Sequence, residues 1–230
     1  MPSILFLNKA PPYRSSGAEK VIWELGKHLA ANGWDVHYLC PLNIDDSYPP
    51  DIENITFHNV DTPTSYLAGR ISYFVFGISD YRRLVKALDP DLVYDNASPL
   101  MFVYAQLFDS ERVVTKVHGI NGRQAFTTKP HLPTKIGTFL GDQLYRLKDG
   151  RRILTASQST KDRLVDRVRA NPDEITVAQN GIDVSEFDYE FSPEGPVLSL
   201  CMLTPRKNIA TLLRAWATLE AKGIDRELII

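Results

Sequence analysis

The sequence predicts an α/β fold in which a Rossmann-like parallel sheet carries helices on both faces. Short apolar runs alternate with segments of helical periodicity, no hairpin signal joins neighbouring runs, and polar residues follow several of the runs. This alternation indicates right-handed crossover connections and a parallel sheet covered on both sides. A hydrophobic content of 43% and a charged content of 23% are typical of a globular protein.

The first unit consists of a strand, a loop and a helix. Ile4–Leu7 is an apolar run and is predicted as a buried strand. In the loop that follows, Ser16 and Glu19 have the spacing of a capping box, which predicts a helix start. Gly17 has no Cβ, so a ligand could approach the backbone at the positive end of this helix. The alternative is an ordinary strand-to-helix turn, and the dinucleotide and P-loop glycine patterns are absent.

The same reasoning predicts the remaining elements. Strands are expected at 36–40, 55–60, 91–94, 112–117, 153–156, 174–177 and 197–200, with another beginning at 227. Helices are expected at 64–88, from the 96–99 loop through 107, at 134–148, from a cap at Ser157 to about 168, and at 209–222. The helix at 64–88 is either continuous or broken near Gly77. We therefore expect a domain over 1–180, a linker over 181–196 rich in Asp, Glu, Ser, Pro and Gly, and the start of a second, incomplete Rossmann-like domain over 197–230.

Composition argues against several classes of protein. The chain has 26 basic and 28 acidic residues and a net charge of −2, so we expect no nucleic-acid partner. Cys40 and Cys201 are predicted to be buried or free thiols in a reducing compartment. There is no signal peptide and no apolar run of the roughly 20 residues that span a membrane, which predicts a cytoplasmic location. No His, Asp or Glu set has metal-ligand spacing, so no bound metal is expected.

Polar residues follow the predicted strands and should meet at one edge of the sheet. They are Asn8, Ser15 to Gly17, Asn96, Ser98, His118, Asn121, Gln179 and Asn180. Ligands of open parallel sheets bind outside the carboxyl ends of the strands, so this edge is the candidate site. His118 can exchange a proton near neutral pH, since its ordinary pKa is about 6.5. The alternative for His118 is a structural hydrogen bond.

Two basic segments suggest further contacts. Arg206 and Lys207 lie between a predicted strand and a helix N-terminus, where they could hold a diphosphate. The alternative is a solvated basic turn. Residues 134–152 combine Lys and Arg with apolar residues at helical spacing, which is compatible either with a peripheral membrane contact or with an ordinary core-facing helix.

Taken together, the motifs resemble family-4-type retaining glycosyltransferases of the GT-B fold. The resemblance rests on Ser16-Gly17-Ala18-Glu19-Lys20, Val117-His118-Gly119, Thr155-Ala156-Ser157-Gln158-Ser159, Asn180-Gly181-Ile182-Asp183 with Phe187, and Pro205-Arg206-Lys207-Asn208. It implies an acceptor domain and a nucleotide-sugar domain with a cleft between them, and neither a metal nor a cofactor beyond the UDP- or GDP-linked sugar. By this similarity the Gly17 loop lies near the donor phosphates, and the catalytic residues are His118 near the transferred sugar and Lys207 on the diphosphate. Ser16, Asn96, Ser98, Asn121, Asn180 and Arg206 complete the predicted substrate-binding set.

The sequence departs from the family pattern in two places. Cys201-Met202-Leu203 stands where the family usually has Gly-Arg-Leu, so one expected cation is missing unless Arg206 replaces it. The family's E-x7-E segment would lie beyond Ile230.

The resulting hypothesis is transfer, with retention, of a hexose or similar sugar from a nucleotide sugar to a glycan or lipid-linked acceptor, at the inner face of the membrane or in the cytoplasm. The alternative is a non-catalytic binding module or a subunit completed by a partner chain, with self-association through the incomplete second domain. A nicotinamide-dependent enzyme is disfavoured by the first loop.

Overall fold

A computed structural model describes residues 1–13, 17–42, 49–60, 66–96, 112–120, 132–143, 152–188, 194–201 and 203–230. Its strands are β1 Ser3–Leu7, β2 Asp35–Cys40, β3 Ile55–Asn59, β4 Leu92–Asp95, β5 Val113–Val117, β6 Arg152–Thr155, β7 Ile175–Val177, β8 Val197–Leu198 and β9 Leu228–Ile229. Its helices are α1 Gly17–Ala31, α2 Tyr66–Leu88, α3 Leu132–Gln143, α4 Gln158–Val168 and α5 Ile209–Glu220.

Strands β1 to β7 form one seven-stranded sheet in the order β3-β2-β1-β4-β5-β6-β7. Every pairing in it is parallel, as the alternation of elements predicts. Strand β1 lies between β2 and β4, and its residues from Ile4 to Leu7 are buried. A strand that packs against helices on both faces needs a continuous apolar run, which explains the lack of alternation in β1.

Successive side chains of β1 lie in two different apolar layers, one on each face of the sheet. Leu5 and Leu7 pack in a cluster with Tyr81 of α2. Ile4 and Phe6 pack on the other face in a cluster with Ile22 of α1. The strand period of two residues produces this division.

Helix α1 lies very close to the sheet at Gly26. The buried Tyr38 hydroxyl of β2 donates a hydrogen bond of 2.9 Å to the carbonyl oxygen of Ile22. A Cβ placed on Gly26 would lie 1.8 Å from the Tyr38 hydroxyl oxygen and 2.9 Å from Tyr38 Cζ. Burial raises the pKa of the Tyr38 hydroxyl well above its ordinary value, so the tyrosine stays neutral. Gly26 therefore allows the helix and the sheet to meet.

Several element boundaries differ from the prediction. Helix α2 is a single helix that continues through Gly77, so a break there does not occur. Strand β8 covers only Val197–Leu198, because its pairing with β9 ends after two residues. The predicted helix through 107 and the predicted end of the 134–148 helix lie outside the described residues.

The start of α4 matches its prediction. Ser157 Oγ accepts a hydrogen bond from the backbone N–H of Thr160, as an N-cap should. At the other end of the helix, Arg169 adopts a left-handed conformation with φ 53°, and its N–H bonds the carbonyl oxygens of Leu164 and Val165.

Residues 197–230 form a separate strand–helix–strand unit in which β8 and β9 pair in parallel around α5. This is the predicted start of a second Rossmann-like unit, whereas the exact division into domains and linker stays a prediction. None of the helices in the described part of the chain is both long and apolar enough to span a bilayer.

Candidate functional site

Three polar side chains from distant parts of the chain meet at the carboxyl edge of the sheet. Asn8 follows β1, Asn96 follows β4 and His118 follows β5, and these strands are neighbours in the sheet. Asn96 Nδ2 donates to Asn8 Oδ1 over 3.1 Å, and His118 Nε2 lies 2.6 Å from Asn96 Oδ1. The predicted convergence at this edge is therefore present for these three residues.

The two asparagines differ from the histidine in exposure. Asn8 is fully buried and Asn96 is 7% exposed, whereas His118 is exposed. Asn8 Nδ2 also donates to the carbonyl oxygen of Ala10 over 2.6 Å. Both amides thus have partners inside the protein, and the imidazole is the member of the set that reaches solvent.

The surroundings of His118 keep its ring neutral. Partial burial of the ring, followed by the positive charges of Lys116 and Lys9, lowers the pKa of His118 to about 4. At neutral pH the side chain therefore carries no charge, and it offers one ring N–H and one ring nitrogen with a free lone pair.

Lys116 is a site residue that sequence reasoning missed. It lies on β5 two residues before His118, and its positive charge is one of the causes that lower the pKa of His118. The residue is 7% exposed, and its Nζ donates to the carbonyl oxygen of Ala178 over 2.9 Å. Burial lowers the pKa of Lys116. A lysine inside a strand that is mostly valine was the available signal in the sequence.

The N-terminus of α1 is open at Gly17. A Cβ placed on Gly17 would meet no heavy atom within 4 Å in the described structure. Glu19, one member of the predicted capping box, is buried, whereas Ser16 lies outside the described residues. There is therefore room for a ligand to approach the backbone at Gly17, as proposed from the sequence.

The remaining members of the predicted substrate-binding set at this edge are Ser98, Asn121 and Asn180. Ser98 and Asn121 lie outside the described residues. Asn180 is exposed beyond β7, and β6 separates that strand from β5. Asn180, Ser98 and Asn121 stay predictions.

The second basic segment has the predicted position between a strand and a helix. Pro205–Lys207 forms a single 3-10 turn, and Asn208, with φ 54°, leads directly into α5. Lys207 is exposed, and the Asn208 side chain makes no cap hydrogen bond to the start of α5. The side chain of Arg206 is outside the described part of the structure. Lys207 thus lies beside a helix end whose first N–H groups have no side-chain cap.

Among the described residues, no group of three or more His, Cys, Asp or Glu side chains could hold a metal ion.

Several solved structures share the fold of this chain. Sucrose-phosphate synthase from Thermosynechococcus elongatus is 16% identical with a TM-score of 0.73, and the match covers 99% of this chain and 61% of that one. Anabaena HepE, in complex with UDP and glucose, is 16% identical with a TM-score of 0.60 over 94% of this chain and 57% of that one. WaaG, a glycosyltransferase involved in lipopolysaccharide biosynthesis, is 10% identical with a TM-score of 0.55, and the match covers 85% of this chain and 53% of that one.

These similarities establish the fold, and the chain spans only about 53–61% of the length of these structures. No curated protein sequence matches it. The family model described as Glycosyltransferase Family 4 matches residues 15–186, which is most of the chain. The protein therefore belongs to glycosyltransferase family 4.

Proposed function

We propose that this chain forms the acceptor-binding part and the beginning of the donor-binding part of a retaining, nucleotide-sugar-dependent glycosyltransferase. The observation that carries the proposal is the neutral, solvent-reaching His118 at the carboxyl edge of the sheet. Family membership supports glycosyl transfer, and the HepE complex with UDP and glucose supports a nucleotide-sugar donor.

In the proposed reaction, the bond between the anomeric carbon and the diphosphate oxygen breaks. A new bond forms to a hydroxyl oxygen of a glycan or lipid-linked acceptor, whose proton leaves with the nucleoside diphosphate product. Negative charge develops on the diphosphate, and Lys207 with the N-terminus of α5 would stabilise it without a metal. Gly17 would lie beside the donor phosphates, and His118 beside the transferred sugar.

The first test is calorimetric titration of the chain with UDP, GDP and their sugar conjugates. Loss of one charge-assisted contact costs about 1.5–3 kcal/mol, so Lys207→Ala should weaken binding by roughly ten- to a hundredfold. Lys222→Ala is a matched control, because Lys222 is also exposed but lies beyond the opposite end of α5. Equal effects of the two substitutions, or no binding by the unmodified chain, would contradict a donor site at Lys207.

Gly17→Ala tests the approach of the donor to α1. A Cβ has room there in the described structure, so the substitution should leave the unfolding midpoint of the chain unchanged. A phosphate close to the backbone would, however, contact the new methyl group, so we expect weaker binding of the nucleotide sugar. Unchanged binding would remove Gly17 from the proposed site.

The exposed apolar face of α3 supports a peripheral membrane contact. Leu132, Ile136 and Leu140 are 62%, 43% and 57% exposed, and their spacing of four residues places them on one side of the helix. Co-sedimentation with vesicles of anionic and zwitterionic lipids tests this contact. Leu140→Glu should reduce sedimentation, whereas Leu219→Glu, at the exposed end of α5, should not.

A non-catalytic module that needs a partner chain is the second candidate. No residue of α5 is buried, and Leu200 and Leu203 are 90% and 76% exposed. Exposed apolar surface of this kind favours association. Analytical ultracentrifugation should then show self-association that Leu213→Glu on α5 weakens, while a concentration-independent monomer would count against this alternative.

A further inference from the structure

A row of three hydrogen bonds connects His118 to a backbone carbonyl group at the carboxyl edge of the sheet. His118 Nε2 lies 2.6 Å from Asn96 Oδ1, and Asn96 Nδ2 lies 3.1 Å from Asn8 Oδ1. Asn8 Nδ2 lies 2.6 Å from the carbonyl oxygen of Ala10. We call Asn8, Asn96 and His118 the rim chain.

The carbonyl of Ala10 fixes the direction of every hydrogen bond in the rim chain. A backbone carbonyl oxygen can only accept, so Asn8 must present its NH₂ group to Ala10 and its oxygen to Asn96. Asn96 must then donate to Asn8 and present its own oxygen to His118. Because an amide oxygen also only accepts, the proton between the two groups belongs to His118 Nε2. The reverse direction would place the Asn8 amide oxygen against the carbonyl oxygen of Ala10, with no proton between them.

With the proton on Nε2, the lone pair of the His118 ring is on Nδ1. No described residue forms a hydrogen bond with Nδ1. We propose that Asn8 and Asn96 are positioning residues that hold His118 in its Nε2–H tautomer, so that the ring presents Nδ1 as an acceptor to a substrate hydroxyl group. The choice of a hydroxyl partner rests on the function proposed above, whereas the tautomer rests on the rim chain alone.

Positive charges near the His118 ring help to keep it neutral, with a proton on one ring nitrogen only. Among the described residues, Lys116 and Lys9 are the charged groups that act on His118, and both disfavour a second proton on it. A neutral Nδ1 accepts a hydrogen bond from an O–H group but does not attract a phosphate or carboxylate oxygen. Nδ1 itself should thus bind a sugar hydroxyl group rather than a phosphate oxygen.

Long-range ¹H–¹⁵N correlation spectra of the ¹⁵N-labelled chain at neutral pH test the proposal. The His118 signals are assigned by their absence in His118→Gln. We expect the proton on Nε2 in the unmodified chain. Asn96→Ala should speed exchange of this proton with water about tenfold, as loss of one buried hydrogen bond requires.

Asn32→Ala is the matched control, because Asn32 Nδ2 donates to the carbonyl oxygen of His28 over 2.7 Å at the end of α1, away from the rim chain. It should leave the His118 signals unchanged. A proton on Nδ1 in the unmodified chain would overturn the proposal without any variant, even if Asn96→Ala did not fold. Unchanged exchange in a folded Asn96→Ala would overturn it too. Failure of the chain to bind a nucleotide sugar would leave these spectra unchanged and would count only against the function proposed above.

Discussion

Replacing Gly26 with alanine should destabilise the protein, although alanine normally favours a helix. The new Cβ would lie 1.8 Å from the Tyr38 hydroxyl oxygen, about 1.6 Å short of the 3.4 Å at which ordinary contact begins. Forcing such an atom into a packed core costs about 1–3 kcal/mol. Alanine regains about 1 kcal/mol of helix propensity. With the cost at its upper end, we expect a net loss of ~2 kcal/mol in the free energy of unfolding.

Urea denaturation followed by far-ultraviolet circular dichroism measures this loss, and a double-mutant cycle with Tyr38→Phe assigns its cause. Tyr38→Phe alone removes one hydrogen bond to Ile22 and should cost about 1 kcal/mol. In that background the nearest atom to the new methyl group becomes Cζ at 2.9 Å, so the alanine should cost much less. Additive effects of the two substitutions, within about 0.5 kcal/mol, would refute the clash. Gly17→Ala in the same helix should show no such loss.

Three further outcomes follow from burial and capping. The His118 ring should titrate near pH 4 rather than near its ordinary pKa of about 6.5, as followed by NMR. The unfolded chain therefore binds a proton at this residue before the folded chain does, and the free energy of unfolding should fall as the pH is lowered from about 6.5 to about 4. His118→Gln should lose less stability over the same pH range. A thiol reagent should label Cys201 in the folded chain. It should label Cys40 only after unfolding, because Cys40 is buried and burial raises the pKa of its thiol. Ser157→Ala should lower the free energy of unfolding by about 1 kcal/mol in urea denaturation, because α4 loses its N-cap, whereas Ser157→Thr should retain most of it.

Apolar periodicity was sufficient to predict the strands of the main sheet, because parallel strands buried on both faces require continuous apolar runs. It could not decide whether α2 breaks at Gly77. Glycine costs about 1 kcal/mol in a helix interior, but the packing of Tyr81 and Leu84 against the sheet outweighs this cost. The length of β8 could not be predicted from the apolar pattern either, because the strand ends where its pairing with β9 ends rather than where its apolar residues end.

The edge of the sheet at which polar residues converge could be predicted from the sequence, but the contacts between them could not. That Asn96 touches both Asn8 and His118 depends on the order β1-β4-β5, which links strands far apart in the chain. The burial of Lys116 was missed because lysine is normally a surface residue and its carbonyl partner, Ala178, lies two strands away. The backbone carbonyl of Ala10 sets the direction of the hydrogen bonds in the rim chain, so the residue types alone do not predict it.

The position of β1 at the middle of the sheet also has a consequence for how the protein folds. One neighbour, β2, follows along the chain after a single helix. The other, β4, is followed by Asn96, the partner of Asn8 at a sequence separation of 88 residues. Closing a loop of that length costs chain entropy before any contact is gained. We expect β1, β2 and β3 to associate first and β4 to dock later. His118 acquires its hydrogen-bonded environment only in that second step, so a folding intermediate would contain three of the seven strands and, of the rim chain, only Asn8.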